Sequence, residues 1–239
     1  RSSVDHRDEI WARELPAVDS EGFALSGRVE DQDGRFNVNN LVRDGKVDGG
    51  QLALFKRLLR VLDLPAEPLA ADIADWIDRD SDTYLGQSPE LATYAGLTPP
   101  VVPANRPLVA LEELLRVRAL DRVVLERLRP YVTVLPEHNG INVNTAPAEV
   151  LAALIDGLSL EQAYTLAARR DKAYFRDIAD FNQALPAGFG PAPELARTTS
   201  RYFLVVARAR HERVNVGSRA LLSRDASSGD TNLIWRASL

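Results

Sequence analysis

The sequence predicts an α+β protein in which strands from both termini frame a long helical middle. Three observations carry this. Short runs rich in β-branched and aromatic residues occupy 23–42 and 202–235. Apolar residues recur at helical spacing between 50 and 77 and again between 110 and 183. The chain has 239 residues, 45% of them hydrophobic and 26% charged, enough to bury a sizeable core.

Residues 1–15, RSSVDHRDEIWAREL, read as a helix whose few apolar positions are Val4, Ile10 and Trp11. That is too little to fold alone, so the segment is expected to be the stub of a longer helix. Residues 23–42 read as short strands broken at the turn Glu30-Asp31-Gln32-Asp33-Gly34. From Gly50, Leu52, Phe55, Leu59 and Leu62 form a stripe flanked by Leu54, Leu58 and Val61, and Leu64-Pro65 ends that helix. A short amphipathic piece with Ile73, Trp76 and Ile77 follows. Residues 110–183 are expected to be helical throughout. Tyr202-Phe203-Leu204-Val205-Val206 reads as a buried strand; Val214, Val216, Ala220 and Leu222 then fall on one face of another, and Asn232-Leu233-Ile234-Trp235 is the last. The expected division is one α/β layer from 1–49 plus 196–239, with a helical insertion at 50–195.

Composition excludes several chemistries. There is no cysteine, which removes disulfides, thiolate nucleophiles and cysteine-based zinc sites. No window approaches the ~18 consecutive apolar residues of a membrane span. The net charge of −5 argues against nucleic acid as a partner. There is no methionine, even at position 1. The three histidines, His6, His138 and His211, have no metal-ligand spacing, and no nucleophile elbow or phosphate loop occurs. Carboxylate pairs are plentiful, so a hydrolase using two of them is the enzyme alternative, though no feature selects a pair.

The acidity is concentrated. Residues 63–90 hold eight acids (Asp63, Glu67, Asp72, Asp75, Asp78, Asp80, Asp82 and Glu90) against Arg79 alone, a local charge of −7, so the rest of the chain sums to +2. Asp78, Asp80 and Asp82 fall at positions 1, 3 and 5 of an EF-hand-like loop. Position 6 is Thr83 rather than Gly, and Glu90 comes one step late, so it is not a standard EF-hand. Alternating carboxylates with a distal Glu still suit a hard cation such as Ca²⁺. A glycosyltransferase Asp-x-Asp site fits less well, because no nucleotide-binding pattern accompanies it.

Two helix–hairpin–helix shapes follow. In the first, Leu111, Leu114 and Leu115 precede the turn at Arg118–Asp121, and Val124, Leu125 and Leu128 follow it. In the second, a helix over about 146–155 meets the hairpin Asp156-Gly157-Leu158-Ser159 and a second helix, with Ser159 and Gln162 as a capping box. This unit resembles the helix–hairpin–helix of DNA-uptake proteins, which makes a DNA-binding module the alternative function. Its phosphate chemistry is missing. Gly157 has no second glycine two residues on, and 146–183 carries four basic residues against six acids.

The motif Asn-Val-Asn occurs twice, at 37–39 and 142–144. Asn37, Asn39, Asn142 and Asn144 read as turn chemistry, short amides serving backbone groups where extended chain gives way to helix. Thr145 is the expected N-cap of the next helix, with Pro147 in its first turn.

GRFNVNNLV, DWIDRDSD, PANRPLVALEELLRVRAL, LRPYVTVLP and INVNTAPAEVLAAL occur in that order. In order and wording they resemble the K-type minor pseudopilins of the bacterial type II secretion system, from about residue 20 to the C-terminus. The resemblance implies a pilin-like domain, made of an N-terminal helix stub and a small antiparallel sheet, interrupted by a large helical insertion with two SAM-like helix–hairpin–helix units. It implies a non-enzymatic subunit at the tip of a periplasmic pseudopilus in a Gram-negative bacterium, capping and priming assembly. Its implied partners are the I-type and J-type minor pseudopilins, with the major pseudopilin and secreted substrates as further candidates. A bulky insertion on a pilin-like head would block another subunit from docking above it. The family carries an N-terminal hydrophobic helix that anchors it in the inner membrane, and the methionine-free start fits a chain from which that helix was removed. Calcium binding in the acidic loop is also implied, through Asp78, Asp80, Asp82 and Glu90, with Asp75 as a fifth ligand. Here Gln87-Ser88-Pro89-Glu90 stands where relatives often carry Gly-Ala-Glu-Asp after a longer loop. Val4, Ile10 and Trp11 are the expected partner-contact positions.

Overall fold

The computed structural model describes residues 4–20, 22–79, 94–96, 102–118, 120–190, 192–225 and 228–239. The chain forms two compact units. One comprises Arg1–Gly34, Gly140–Ala146 and Ala167–Leu239; the other comprises Arg35–Asn139 and Pro147–Leu166. The borders expected at 49/50 and 195/196 differ from these because segment 140–146 and the chain after 167 pack with the strand-bearing unit.

The first unit is built on a five-stranded antiparallel sheet: β1 (Leu15–Ser20), β2 (Phe23–Asp31), β3 (Tyr202–His211), β4 (Val214–Arg224) and β5 (Thr231–Ser238). The strands lie side by side in chain order, although residues 32–201 intervene between β2 and β3. The register pairs Val29 with Val205 and Leu221 with Leu204, so β-branched and large apolar residues meet across the strands. Tyr202, Phe203, Val206 and Leu221 are buried. The face predicted for Val214 and Val216 is shared as expected, but both are exposed, at 60% and 58%. Burial at this strand falls further along, at Leu221 and Ser223 on the opposite face.

No helix spans the described part of 1–15. Residues 10–12 form a single 3-10 turn and β1 begins at Leu15. Tertiary bonds override the weak helical pattern: Asp5 Oδ2 accepts from Ser200 N at 2.7 Å and from Arg224 at 2.6 Å, which ties the segment to the sheet. Pro16 then lies in β1 at a sheet edge.

The second unit is mainly helical. Asp48 caps α1 (Gly49–Val61), accepting from Gly50 N and Gln51 N at 3.0 Å each. Leu52, Leu54, Phe55, Leu58 and Leu59 face inward, as the spacing predicts. Next comes α2 (Ala66–Ile77), with Pro68 in its first turn and Ile73, Trp76 and Ile77 buried. Three further helices are α3 (Arg122–Leu128), α4 (Ala148–Leu154) and α5 (Leu160–Lys172), and α5 runs from the second unit into the first. The first unit adds α6 (Ile178–Ala184), capped by Asp177.

The middle is not helical throughout. Between α3 and α4, Val132–Thr133 pairs in parallel with Phe36–Asn37, and Ile141–Asn142 pairs in parallel with Ala196–Arg197. Pro130, Pro136, Gly140 and Pro147 punctuate this stretch and prevent a continuous helix. In the second hairpin, Gly157 takes φ +79 and Ser159 and Gln162 cap reciprocally, at 2.9 and 3.2 Å.

Candidate functional site

The two Asn-Val-Asn motifs share one geometry. In each, the first asparagine folds its amide oxygen onto the backbone two residues ahead. Asn37 Oδ1 accepts from Asn39 N at 3.2 Å, and Asn142 Oδ1 accepts from Asn144 N at 2.9 Å. The second asparagine clasps a distant peptide with both ends of its amide. Asn39 Oδ1 accepts from Leu108 N at 2.8 Å while its Nδ2 donates to Leu108 O at 3.0 Å. Asn144 does the same to Phe175, at 2.8 and 2.9 Å. All four amides are buried.

Around Asn142 lies a knot of buried polar groups within the first unit. Its Nδ2 donates to Ser200 Oγ (2.7 Å), Asp5 O (3.1 Å) and Asp31 Oδ2 (3.2 Å). Asp31 Oδ2 also accepts from Thr145 Oγ1 and Ser200 Oγ, each at 2.5 Å. Thr145 is therefore not the helix N-cap. Its hydroxyl serves Asp31, and the cap position of α4 falls to Pro147, with no side-chain bond. Asp33 accepts from Arg201 N and Tyr202 N at 2.8 and 2.7 Å, fastening the turn after β2 to the start of β3. Burial, reinforced by the nearby Asp33 carboxylate, pushes the Asp31 carboxyl up to about 6, against the pull of its hydroxyl donors.

The second polar concentration lies along α2. Asp72, Asp75 and Asp78 recur every three residues and are buried, at 9%, 5% and 3% exposure. Asp72 pairs with Arg118 at 3.0 Å. Asp75 and Asp78 lie at the C-terminal end of α2, where the helix dipole is negative and opposes a carboxylate. Asp80, Asp82 and Glu90 of the predicted cation loop lie outside the described residues. Among the described residues, no group of three or more His, Asp or Glu gathers to hold a metal.

The predicted contact positions separate. Val4 is buried at 6% exposure, Ile10 is 84% exposed, and Trp11 is half-buried against Phe203 with its ring edge-on at 5.1 Å. His6 stacks on Tyr174 at 3.8 Å beside a small cavity lined by Arg7, Asn144 and Arg170. Arg170 is itself fully engaged, donating to Val143 O at 3.2 Å, to Ala146 O at 2.5 Å and to Asp171. Sequence reasoning missed Asp31, Asp33, Ser200 and Arg170 because their partners are distant in the chain. The acid-rich turn at 30–34 was the one local signal.

These are the features of an α+β scaffold whose buried polar side chains serve backbone groups and one another. The sequence profile described as "Type II secretion system (T2SS), protein K" matches residues 34–137, and a second profile of the same description matches 141–199. Type II secretion system protein K of Pseudomonas aeruginosa is 34% identical over 224 residues, covering 92% of this chain and 65% of the relative. The Aeromonas hydrophila protein K is 31% identical over 211 residues, covering 81% and 63%. The chain thus spans just under two thirds of the length of these relatives. Among solved structures, a chain of the GspK-GspI-GspJ complex from the enterotoxigenic Escherichia coli type 2 secretion system matches with a TM-score of 0.82. That match covers 99% of this chain and 87% of the other at 21% identity, a likeness of fold. The chain belongs to the type II secretion system protein K family, the minor pseudopilins of that system.

Proposed function

We propose that this chain is the structural tip subunit of a type II secretion pseudopilus, acting without catalysis by holding other minor pseudopilins. The observation that carries this is the combination of family membership with a fold likeness, over 99% of this chain, to a chain of the GspK-GspI-GspJ complex. The partners are the I-type and J-type minor pseudopilins, and the major pseudopilin and secreted substrates are further candidates. The setting is the periplasm of a Gram-negative bacterium, with inner-membrane anchoring through a segment outside this chain. The sheet-bearing unit is the pilin-like domain, and the mainly helical unit belongs to an insertion with two SAM-like helix–hairpin–helix units. Ile10 lies on the contact surface.

Calcium belongs to this reading. Asp75 and Asp78 fit a hard cation, because buried carboxylates at a helix C-terminus gain from a compensating positive charge. With Asp80, Asp82 and Glu90 they form the proposed oxygen ligand set. The ion would neutralise the acidic segment that begins at the C-terminal end of α2. Deleting the gene that encodes this chain in its host is expected to retain type II substrates in the periplasm, and complementation to restore export. Undiminished secretion by the deletion strain would overturn the proposal.

A further inference from the structure

The two faces of the five-stranded sheet differ sharply towards the β3–β4 hairpin. Val18, Leu25, Ala209 and Val216 form one cross-strand row on one face. On the other face the register places Arg208 and Arg210 of β3, with Arg28 of β2 and Arg219 of β4 both opposite Val206. Arg208 stands between Ser26 and Gly217, and Arg210 between Ala24 and Asn215. Ser26 and Ala24 are small, the Leu239 side chain lies over Gly217, and both arginines are exposed. They project from the same strand roughly 7 Å apart.

The acids near this face are Glu30 and, in the row of Ala24 and Arg210, Asp19. Glu30 pairs with Arg28 at 2.7 Å, and Asp19 Oδ1 accepts from Gly22 N at 3.2 Å. Arg219 lies over the Trp235 ring, 5.6 Å from its centroid. The hairpin turn carries Glu212 and Arg213, of opposite formal charge. Among the described residues, neither the Arg208 nor the Arg210 side chain has a hydrogen bond or ion pair. A chain of net charge −5 therefore displays Arg208 and Arg210 as an exposed pair of cations on one sheet face, with Asp19 two strands away in the Arg210 row.

We propose that this arginine face is a docking surface for a carboxylate-rich segment of a partner protein. Guanidinium groups held at fixed spacing on a strand suit bidentate carboxylate pairing. A membrane surface fits less well. Binding anionic lipid firmly needs cations and several inserting apolar side chains on the same side; here Leu239 lies over Gly217 beside Arg208, whereas the apolar row of Val18, Leu25 and Val216 is on the opposite face. The inference does not depend on the secretion role.

The test uses a fluorescent poly-glutamate peptide, with fluorescence anisotropy measured at about 0.01 M and 0.15 M salt. Wild-type protein is expected to bind, more weakly at the higher salt. The double variant R208S/R210S is expected to bind about tenfold more weakly, while R116S/R122S, which removes two exposed arginines of the other unit, stays within about twofold. Thermal unfolding checks that both variants are folded. The single variant R210S, expected to lose about threefold, keeps the test open should the double variant unfold. No binding, or equal loss in the two double variants, overturns the proposal. So does arginine-dependent binding to phosphatidylglycerol vesicles without binding to the peptide.

Discussion

Asn144 and Phe175 are joined by two hydrogen bonds in opposite senses, with the asparagine amide completing the backbone of Phe175 as a neighbouring strand would. Asn39 and Leu108 repeat the arrangement in the other unit. Truncating either asparagine leaves a buried N–H and C=O unsatisfied. N144A and N39A are each expected to cost about 2–4 kcal/mol in urea unfolding. N144D should be at least as damaging at neutral pH, because a carboxylate oxygen would then face the Phe175 carbonyl. A loss below that of an ordinary surface change would count against the clasp.

Asp31 makes the fold pH-sensitive in a defined direction. Its folded-state value of about 6 lies above the ordinary 3.8, so the folded chain holds this proton more tightly than the unfolded chain. The contribution is fully present below about pH 4 and is lost as the pH rises through about 6, on the order of 3 kcal/mol in all. Unfolding free energies between pH 4 and 7 are expected to show this descending term in the wild type and to lack it in D31N. Identical slopes would remove Asp31 from the account.

Arg118 compensates a buried acid, Asp72, at 3.0 Å. The arginine side chain is 48% exposed, so solvent screens the pair. R118A is expected to cost about 1 kcal/mol at low salt and less at high salt, whereas D72N/R118A should recover most of it. A double-mutant cycle with no coupling would contradict this.

Calcium is expected to raise the melting temperature reversibly. A hundredfold excess over the dissociation constant adds about 2.7 kcal/mol, or roughly 5–10 °C for a chain of this size. D78N should abolish most of the shift, and EDTA should reverse it in the wild type. A flat response would remove the ion from the proposal and leave the partner role standing.

The sequence made the helical stripe of α1 and the run at Tyr202–Val206 legible because their packing partners demand only apolar surface at a regular spacing. Residues 1–15 were misread because Val4 and Asp5 are fixed by contacts such as Ser200 and Arg224, about two hundred residues away and invisible to local periodicity. The same limit applies to Thr145. Its sequence neighbours mark an N-cap, but Asp31, 114 residues earlier, takes its hydroxyl. Asn-Val-Asn was legible as backbone chemistry, and the peptides it clasps were not. At the candidate site, the acidity of 63–90 was visible in composition, whereas the pairing of Asp72 with Arg118 depends on the fold.

The central claim is that this chain works by assembling with other minor pseudopilins. Native mass spectrometry of an equimolar mixture of this purified chain with the corresponding domains of the I-type and J-type proteins tests it most directly. The account predicts one heterotrimer containing a single copy of each, weakened by I10D on the 84% exposed Ile10. Spectra containing only free monomers, at concentrations where the I and J domains pair with each other, would contradict it.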